Sequence, residues 1–568
     1  MTVSRDHNTR MLTALVQLRG ALQEARLPLD VPGVEERRTV LRQMVDQLED
    51  YVIPRQMSLE APLLAVVGGS TGSGKSTLVN SLVGRRVTAS GLLRPTTRSP
   101  VLVHHPDDAE WFGQDRLLPD LKRVDHSTDD PDSLQLVASD TVPAGLAILD
   151  APDVDSVEER NRTLAAQLLA AADLWLFVTS AARYSDQVPW EYLKRAAERS
   201  TSVAIVLDRT PADAVQTVAA HLARLLASRG LKDSPLFTVN EAPVSEEGLL
   251  APTEVADIRA WLVSLAEDSD ARGEVVKQTL DGTIRTLARQ THTVADAAAE
   301  QLRAVASLRE AVDTTYDEAA ARLVAETGDG TLLRGDILVR WQDFVGTGEL
   351  LRSLDAKVGR LRERVVNAVK GTPQQAERVS AAVESGLELL VLEHAESATA
   401  RARAAWESPD TGAPLTADDG LERASRDLRR RTEAEVRAWQ AEILELVRTE
   451  GADKRTSARY LAYGVHGLTA ALSVVVLGRN ATSHAAALGR TLLDAVFGAP
   501  ALERLVDRAG HSLERRVSGL LETERRRYLD LLAGLDIPAT APEQLRAASR
   551  RVDDRRFEQA RSGSAPQE

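Results

Sequence analysis

The chain has 568 residues, of which 43% are hydrophobic and 4% aromatic, and its formal net charge is −14. This length predicts roughly two to four domains, and the negative charge argues against general nucleic-acid binding. The sequence contains no cysteine, which excludes disulfides, thiolate catalysis and cysteine-ligated metals. The first residues lack the apolar core of a signal peptide, so we expect a cytoplasmic protein.

Residues 1–58 carry the pattern of two helices. Pro28, Pro32 and Gly33 separate two apolar stripes at helical spacing. The stripes are Leu12, Leu15, Leu18 and Leu22, followed by Leu41, Met44, Leu48 and Val52. Pro54 is expected to end the second helix. We expect this pair to pack on a helical stalk or neck formed by later residues.

Residues 59–268 alternate between short apolar runs and helical stretches. The runs are residues 62–67, 101–103, 146–149, 174–178, 203–207 and 236–239. Continuous apolar strands between helices predict an α/β domain, with a mostly parallel sheet covered by helices on both faces. Ligands of such sheets bind at the carboxyl ends of the strands.

The segment from Gly69 to Ser76 fits G-x-x-x-x-G-K-[ST], the phosphate-binding P-loop, between a predicted strand and a predicted helix. Its backbone N–H groups would face phosphate oxygens, and the helix that opens at Thr77 would add the positive end of its dipole. Lys75 would meet the β- and γ-phosphates, and Ser76 would bind Mg²⁺. The predicted nucleotide-binding residues here are Gly69, Ser70, Thr71, Gly72, Ser73, Gly74, Lys75, Ser76 and Thr77.

Two other segments predict metal ligands. Asp150 ends the strand of residues 146–149 and is expected to support Mg²⁺. Thr97, favoured over Thr96, lies in a polar stretch before a strand, where a hydroxyl can complete the metal shell as a switch. The alternatives are an aspartate that caps a turn and a polar turn without a ligand. Asp153 follows, and its carboxylate would repel phosphate unless it is turned away or paired.

Asp208 and Arg209 follow the strand of residues 203–207 and are predicted to face the base, on which the Arg209 stem would stack. GTPases usually carry Asn-Lys-x-Asp here, and the final aspartate pairs with guanine. This chain has Pro211 at that last place, so the guanine-binding carboxylate is missing or comes from another residue such as Asp213. The choice between guanine and adenine therefore stays open, and an ordinary loop is an alternative.

Residues 269–550 show no comparable strand signal and predict a long antiparallel helical bundle or stalk. Two coiled-coil-like seams lie in it: Leu351, Leu354, Val358, Leu361, Val365 and Val369, then Leu502, Val506, Ala509, Leu513, Val517 and Leu520. Residues 551–568 are polar and are expected to form a disordered tail.

A hairpin at about residues 458–498 raises the question of membrane contact. Residues 460–478 carry no formal charge when His466 is neutral, and basic residues flank them. This length approaches that of a spanning helix, whereas Arg490 and Asp494 in the second half would be costly at a bilayer centre. One interpretation is a hairpin that dips into anionic lipid. The other is a hairpin packed inside the stalk, where small residues allow close approach.

These motifs together resemble the dynamin-like large GTPases, in particular a bacterial branch of them. The resemblance rests on the P-loop with the helix of residues 75–82, on Thr97-Arg98-Ser99-Pro100, on Asp150-Ala151-Pro152-Asp153, and on a GTPase domain between helices. It implies GTP and Mg²⁺ as ligands, GTP hydrolysis, and remodelling or fusion of an anionic membrane at its inner face. It also implies self-association through the GTPase domain and the stalk, with a second copy or a dynamin-like paralogue, and it favours membrane contact for the hairpin.

The chain departs from the family pattern at two positions. Thr71 stands where dynamins have a catalytic glutamine, and Asp153 stands where they have a glycine. Thr71 therefore joins Lys75 and Thr97 as a candidate catalytic residue, and we expect hydrolysis that is slow or dependent on assembly. The alternative function is a soluble switch, driven by GTP or ATP, whose helical arm binds protein partners.

Overall fold

The computed structural model describes residues 2–89, 99–114, 116–128, 130–156, 158–198, 201–346, 372–407, 415, 420–454 and 458–563. The predicted switch residue Thr97 and the predicted seam from Leu351 to Val369 lie outside these residues. The chain forms two compact units. Unit 1 contains Met1–Leu27, Gly33–Ala299 and Pro538–Glu568, and unit 2 contains Pro28–Pro32 and Glu300–Ile537.

Unit 1 is built on an eight-stranded sheet with the order β3-β4-β2-β5-β1-β6-β7-β8. The strands are β1 (Leu63–Gly69), β2 (Val101–His104), β3 (Lys122–Val124), β4 (Ser133–Ala138), β5 (Leu146–Asp150), β6 (Leu174–Ser180), β7 (Ser202–Thr210) and β8 (Leu236–Asn240). Every neighbouring pair is parallel except β2 and β5. Each predicted apolar run is a strand, which confirms the α/β fold with a mostly parallel sheet.

Unit 1 contains the helices that precede and cover the sheet. They are α1 (Thr2–Glu24), α2 (Val34–Gln47), α3 (Ile53–Met57), α4 (Lys75–Val83), α5 (Glu159–Ala170), α6 (Gln187–Glu198), α7 (Val215–Ser228) and α8 (Ala256–Glu267), and the long α9 (Ser269–Glu326) begins here. A π-helical turn, Leu48–Val52, joins α2 to α3. Pro54 therefore does not end the second helix as expected, because it lies in the first turn of α3.

The regular secondary structure in the described residues of unit 2 is helical. It contains the end of α9, then α10 (Gly335–Val345), α11 (Thr372–Glu407), α12 (Leu428–Glu450), α13 (Ala458–Leu477), α14 (His484–Phe497) and α15 (Ala499–Gly534). The predicted seam in α15, from Leu502 to Leu520, is buried along its length, and α15 packs on α12. The long helices confirm the predicted all-α part of the chain.

The last helix, α16 (Ala541–Gly563), belongs to unit 1 and packs on α1. Leu15 and Leu18 of α1 are buried, as are Leu545 and Val552 of α16. Residues 551–563 are therefore helical, which corrects the expectation of a disordered tail over that range. The expectation failed because the polar residues occupy one face of an amphipathic helix whose apolar face is covered.

The hairpin at residues 458–498 consists of α13 and α14, which pack on each other. Leu468, Leu472 and Val475 are fully buried in unit 2. A Cβ atom placed on Gly489 would approach Val475 to 2.8 Å, so the glycine permits close contact between the two helices. In the described part of the chain, no helix combines the length and the apolar character that crossing a membrane requires. The structure thus has the packed arrangement that was the second interpretation of this segment.

Candidate nucleotide-binding site

The predicted phosphate loop connects the end of β1 to the start of α4. α4 begins at Lys75, two residues before the predicted start. Gly69 and Gly74 have φ values of 151° and 102°, which residues with a side chain rarely adopt. A Cβ atom on Gly69 would overlap the carbonyl oxygen of Val178, and one on Gly74 would overlap the Asp208 carboxylate. Both glycines are therefore required by close packing around the loop.

The loop has the features of an anion cradle. The hydroxyl oxygens of Ser70 and Ser73 are buried without a hydrogen-bond partner in the described structure. They lie in a loop that leads directly into the N-terminus of α4, where unpaired N–H groups and the helix dipole favour negative charge. Buried polar atoms without partners are rare in folded proteins. Their presence here fits a site that a phosphate chain completes.

Lys75 is 5% exposed at the end of this loop. Its ammonium donates a hydrogen bond to the carbonyl oxygen of Ser70, 3.0 Å away, and forms an ion pair with Asp153. Asp153 would repel phosphate unless its carboxylate were turned away or paired, and in the structure it is paired. The carboxylate thus neutralises the lysine that is predicted to meet the β- and γ-phosphates.

Asp150 lies fully buried at the end of β5, next to the loop. Its Oδ2 accepts hydrogen bonds from the hydroxyls of Ser76 and Thr88, each at 2.8 Å. Burial raises the pKa of Asp150, although the two hydroxyls and Lys75 oppose this effect. Thr88 was not among the predicted site residues, because a single threonine after a helix belongs to no motif. Only the fold brings it to Asp150.

The residues around Asp150 fit a magnesium ion. Oδ1 of Asp150 is buried without a partner, and the neighbouring Ser76 hydroxyl supplies a second hard oxygen. Within the described residues, no group of three or more histidine, aspartate and glutamate side chains is placed to hold a metal. A magnesium ion here would therefore depend on nucleotide phosphates and water in addition to Ser76 and Asp150.

Thr71 is held by Asp155, which was not among the predicted site residues. Oδ1 of Asp155 accepts hydrogen bonds from the backbone N–H of Thr71 at 2.6 Å and from its hydroxyl at 2.7 Å. Oδ2 of Asp155 accepts a hydrogen bond from Arg183 at 3.0 Å. Asp155 follows β5 and Arg183 follows β6, so one carboxylate connects three neighbouring strand ends. The pattern Asp150-x-x-Asp153-x-Asp155 was the available signal, because it places successive acids beside the loop.

Asp208 and Arg209 lie at the carboxyl end of β7, and the Asp208 carboxylate lies beside Gly74 of the phosphate loop. Asp208 is buried, which raises its pKa to about 6, and its Oδ1 accepts the N–H of Arg209 at 2.7 Å. Arg209 has a φ of 50°, an uncommon value for a residue with a side chain. Asp213 is exposed in the following turn. The predicted contact of Asp208 and Arg209 with a base stays a prediction.

Comparison with known proteins identifies a protein family that part of the chain resembles. Residues 64–209 match the model of the dynamin family. A curated relative, the probable transmembrane GTPase FZO-like, chloroplastic, of Arabidopsis thaliana, is 23% identical over 190 residues, which cover 31% of this chain and 19% of that protein. The chain thus spans about a fifth of the length of the curated relative it matches.

Solved structures of an oligomerised bacterial dynamin pair, described as a mechanism for the long-range sensing and tethering of membranes, align over 96% of this chain and 94% of theirs, with 10% identity and a TM-score of 0.38. The family match runs from β1 into β7 and includes the loop, Asp150 and Asp208. The resemblance predicted from the motifs is confirmed over residues 64–209, which match the dynamin family model.

Proposed function

We propose that this chain binds Mg²⁺ and GTP at residues 69–76, hydrolyses GTP, and couples the nucleotide state to membrane remodelling or fusion. The observation that carries the nucleotide part is the meeting of Lys75, Ser76 and Asp150 around a glycine-shaped loop with unpaired buried hydroxyls. Phosphoryl transfer needs positioning and charge neutralisation rather than covalent chemistry from the protein. These residues are of the types that such a reaction needs.

Each residue has a distinct part in the proposed reaction. Lys75 neutralises charge on the β- and γ-phosphates, while the loop N–H groups orient the phosphate chain for in-line attack by water. Ser76 and Asp150 would hold the magnesium ion, with Thr97 as a further ligand. When bound, this ion neutralises negative charge that develops on the phosphate oxygens. The engagement of Thr71 by Asp155 supports slow hydrolysis in the isolated chain, since the backbone N–H and the hydroxyl proton of Thr71 are both already donated to Asp155.

The membrane part of the proposal rests on similarity to the dynamin family. The FZO-like relative is named a transmembrane GTPase, and the dynamin family model covers the nucleotide domain of this chain. We infer peripheral contact with the inner face of the cell membrane by a cytoplasmic protein that self-associates through its GTPase domain and stalk, with itself or with a dynamin-like paralogue.

A second candidate is a soluble nucleotide switch whose helical arm binds protein partners. The burial of the apolar residues of α13 and α14 inside unit 2 favours it. Arg479, one of the predicted basic flanks, is 11% exposed and pairs with Glu514 rather than facing solvent. Contact with lipid through this hairpin therefore requires unit 2 to open, at the cost of its buried apolar contacts.

GTP turnover measured with and without anionic liposomes, together with liposome sedimentation, tests the proposal. We expect slow basal turnover that lipid increases, and Lys75→Ala should abolish nucleotide binding while the helical circular dichroism is unchanged. Absence of lipid binding with and without GTP would favour the soluble switch. Equal or stronger binding of ATP than of GTP would overturn the guanine assignment, and unchanged affinity of Lys75→Ala would overturn the P-loop assignment.

A further inference from the structure

The ion pair between Lys75 and Asp153 lies inside the proposed phosphate site. The two side chains are 5% and 18% exposed, so the pair is much less screened by water than an ion pair on the surface. Lys75 is also the group that the P-loop motif assigns to the terminal phosphates. The Asp153 carboxylate of the chain itself is thus already paired with the Lys75 ammonium, which a nucleotide phosphate would need as its partner.

The backbone fixes Asp153 in this place. The N–H of Ala151 donates to the carbonyl oxygen of Val67 at 3.2 Å, and the N–H of Val154 donates to that of Gly69 at 3.3 Å. Val154, between the two acids, is fully buried. Asp153 is therefore presented to Lys75 by a segment that runs along β1 and the loop, and the contact does not depend on a freely rotating surface chain.

The position of Asp153 relative to a bound nucleotide follows from the direction of the loop. Lys75, the first residue of α4, reaches the β- and γ-phosphates, and the loop N–H groups surround the phosphates nearer the nucleoside. A diphosphate leaves the γ-phosphate position vacant, so the Lys75 ammonium, which has three N–H groups, can keep its contact with Asp153 and also reach the β-phosphate. A triphosphate brings its own anion to that position and must displace the carboxylate.

We propose that Asp153 is a specificity-determining residue that occupies the place of the terminal phosphate on Lys75 and so lowers affinity for the triphosphate relative to the diphosphate. The inference rests on the proposed nucleotide binding and adds to it a reason for weak triphosphate capture. Asp155 strengthens the effect, because it holds Thr71 and thereby keeps the same segment against the loop.

The test compares the dissociation constants of GDP and of a non-hydrolysable GTP analogue for the full chain and for Asp153→Asn, which keeps the side-chain shape and removes the charge. We expect about tenfold tighter binding of the GTP analogue, because a charge-assisted contact no longer competes. For GDP we expect a change below about threefold, since the same contact is not displaced.

Asp186→Asn is the matched control. Asp186 lies 3.5 Å from the guanidinium of Arg183 and is 43% exposed, so this variant also removes one negative charge near the site but none from Lys75. Thermal unfolding checks that each variant is folded. An equal gain for both nucleotides, the same gain in the control, or weaker binding of the GTP analogue would overturn the inference alone. Absence of binding of either nucleotide by all three proteins would overturn the proposed function as well.

Discussion

The guanidinium of Arg55 and the carboxylate of Asp173 lie 2.9 Å apart, and each side chain is only 1% exposed. Asp173 also accepts hydrogen bonds from the Tyr51 hydroxyl at 3.0 Å and from the backbone N–H of Leu64 at 2.9 Å. Burial raises the pKa of Asp173, and the charge of Arg55 opposes this effect. The cluster ties the helices before the sheet to the start of β1, the strand that leads to the phosphate loop.

Replacement of Arg55 by methionine should destabilise unit 1 by about 3–5 kcal/mol, because it leaves the buried carboxylate of Asp173 without its cation. Urea unfolding followed by circular dichroism measures the loss. Arg160→Met is the control, since Arg160 and Asp132 form an ion pair that is 61% and 69% exposed and is worth less than about 1 kcal/mol. A similar loss in both variants would contradict the assigned importance of burial.

Replacement of Asp50 by asparagine should stabilise the protein at neutral pH. Burial raises the pKa of Asp50 from 3.8 to about 6, so the folded state binds the proton more tightly than the unfolded state does. The stability that this proton contributes is complete below about pH 4 and is lost as the pH rises through 6. We therefore expect equal stability of the two proteins near pH 4 and a gain of about 1–3 kcal/mol for the variant at pH 7.5.

The measurement is the midpoint of thermal unfolding across this pH range. The neutral side chain can still accept the hydrogen bond from Gln167, whose Nε2 lies 2.7 Å from the Asp50 carboxylate. A difference between the proteins that does not change with pH would show that packing rather than charge is responsible.

Replacement of Asp150 by asparagine should weaken the effect of magnesium on nucleotide binding. Asp150 offers the buried Oδ1 that has no partner and positions the Ser76 hydroxyl. The magnesium concentration for half-maximal binding should rise roughly 10- to 100-fold. Affinity measured in EDTA should be unchanged or higher, because a buried negative charge near the phosphates is gone. Loss of binding in EDTA as well would indicate a damaged loop instead of a lost metal ligand.

The sequence-based predictions agree with the structure where the sequence pattern lies within one short segment of the chain. The spacing from Gly69 to Ser76 and the apolar runs of the central strands lie within single segments, so they predicted the loop and the core of the sheet. β3 and β4 were not predicted, because their residues are partly exposed and lack a continuous apolar run. They lie together at the edge of the sheet, where burial on two faces is not required.

The site residues also divide into those that a sequence motif identified and those that only the fold brings to the site. Lys75, Ser76 and Asp150 were identified by motif, and the fold brings them together. Thr88, Asp155 and Arg183 come from separate segments, and their contacts exist only after the strands are aligned. Hydropathy alone also left the hairpin open, because a core helix and a lipid-contacting helix are both apolar; burial of α13 inside unit 2 required the tertiary fold.

Replacement of Gly489 by valine should destabilise unit 2 by about 1–3 kcal/mol or more, because its side chain would collide with Val475 and approach the Ala471 carbonyl. Gly519→Ala in α15 is the control, since nothing lies within 4 Å of its added Cβ, and it should stabilise the helix by about 0.5–1 kcal/mol. Chemical unfolding measures both. Tolerance of valine at 489 in the absence of lipid would contradict the packed hairpin.

The pairing of α1 with α16 sets an order for the maturation of the chain. Roughly 500 residues separate the end of α1 from the start of α16, so this contact closes a large loop and cannot form until α16 has been synthesised. During synthesis, the apolar stripe of α1 leaves the ribosome long before its partner exists. The apolar stripe of α1 therefore lacks its contact with α16 throughout the synthesis of unit 2, so we expect this stripe to need protection from aggregation in the nascent chain.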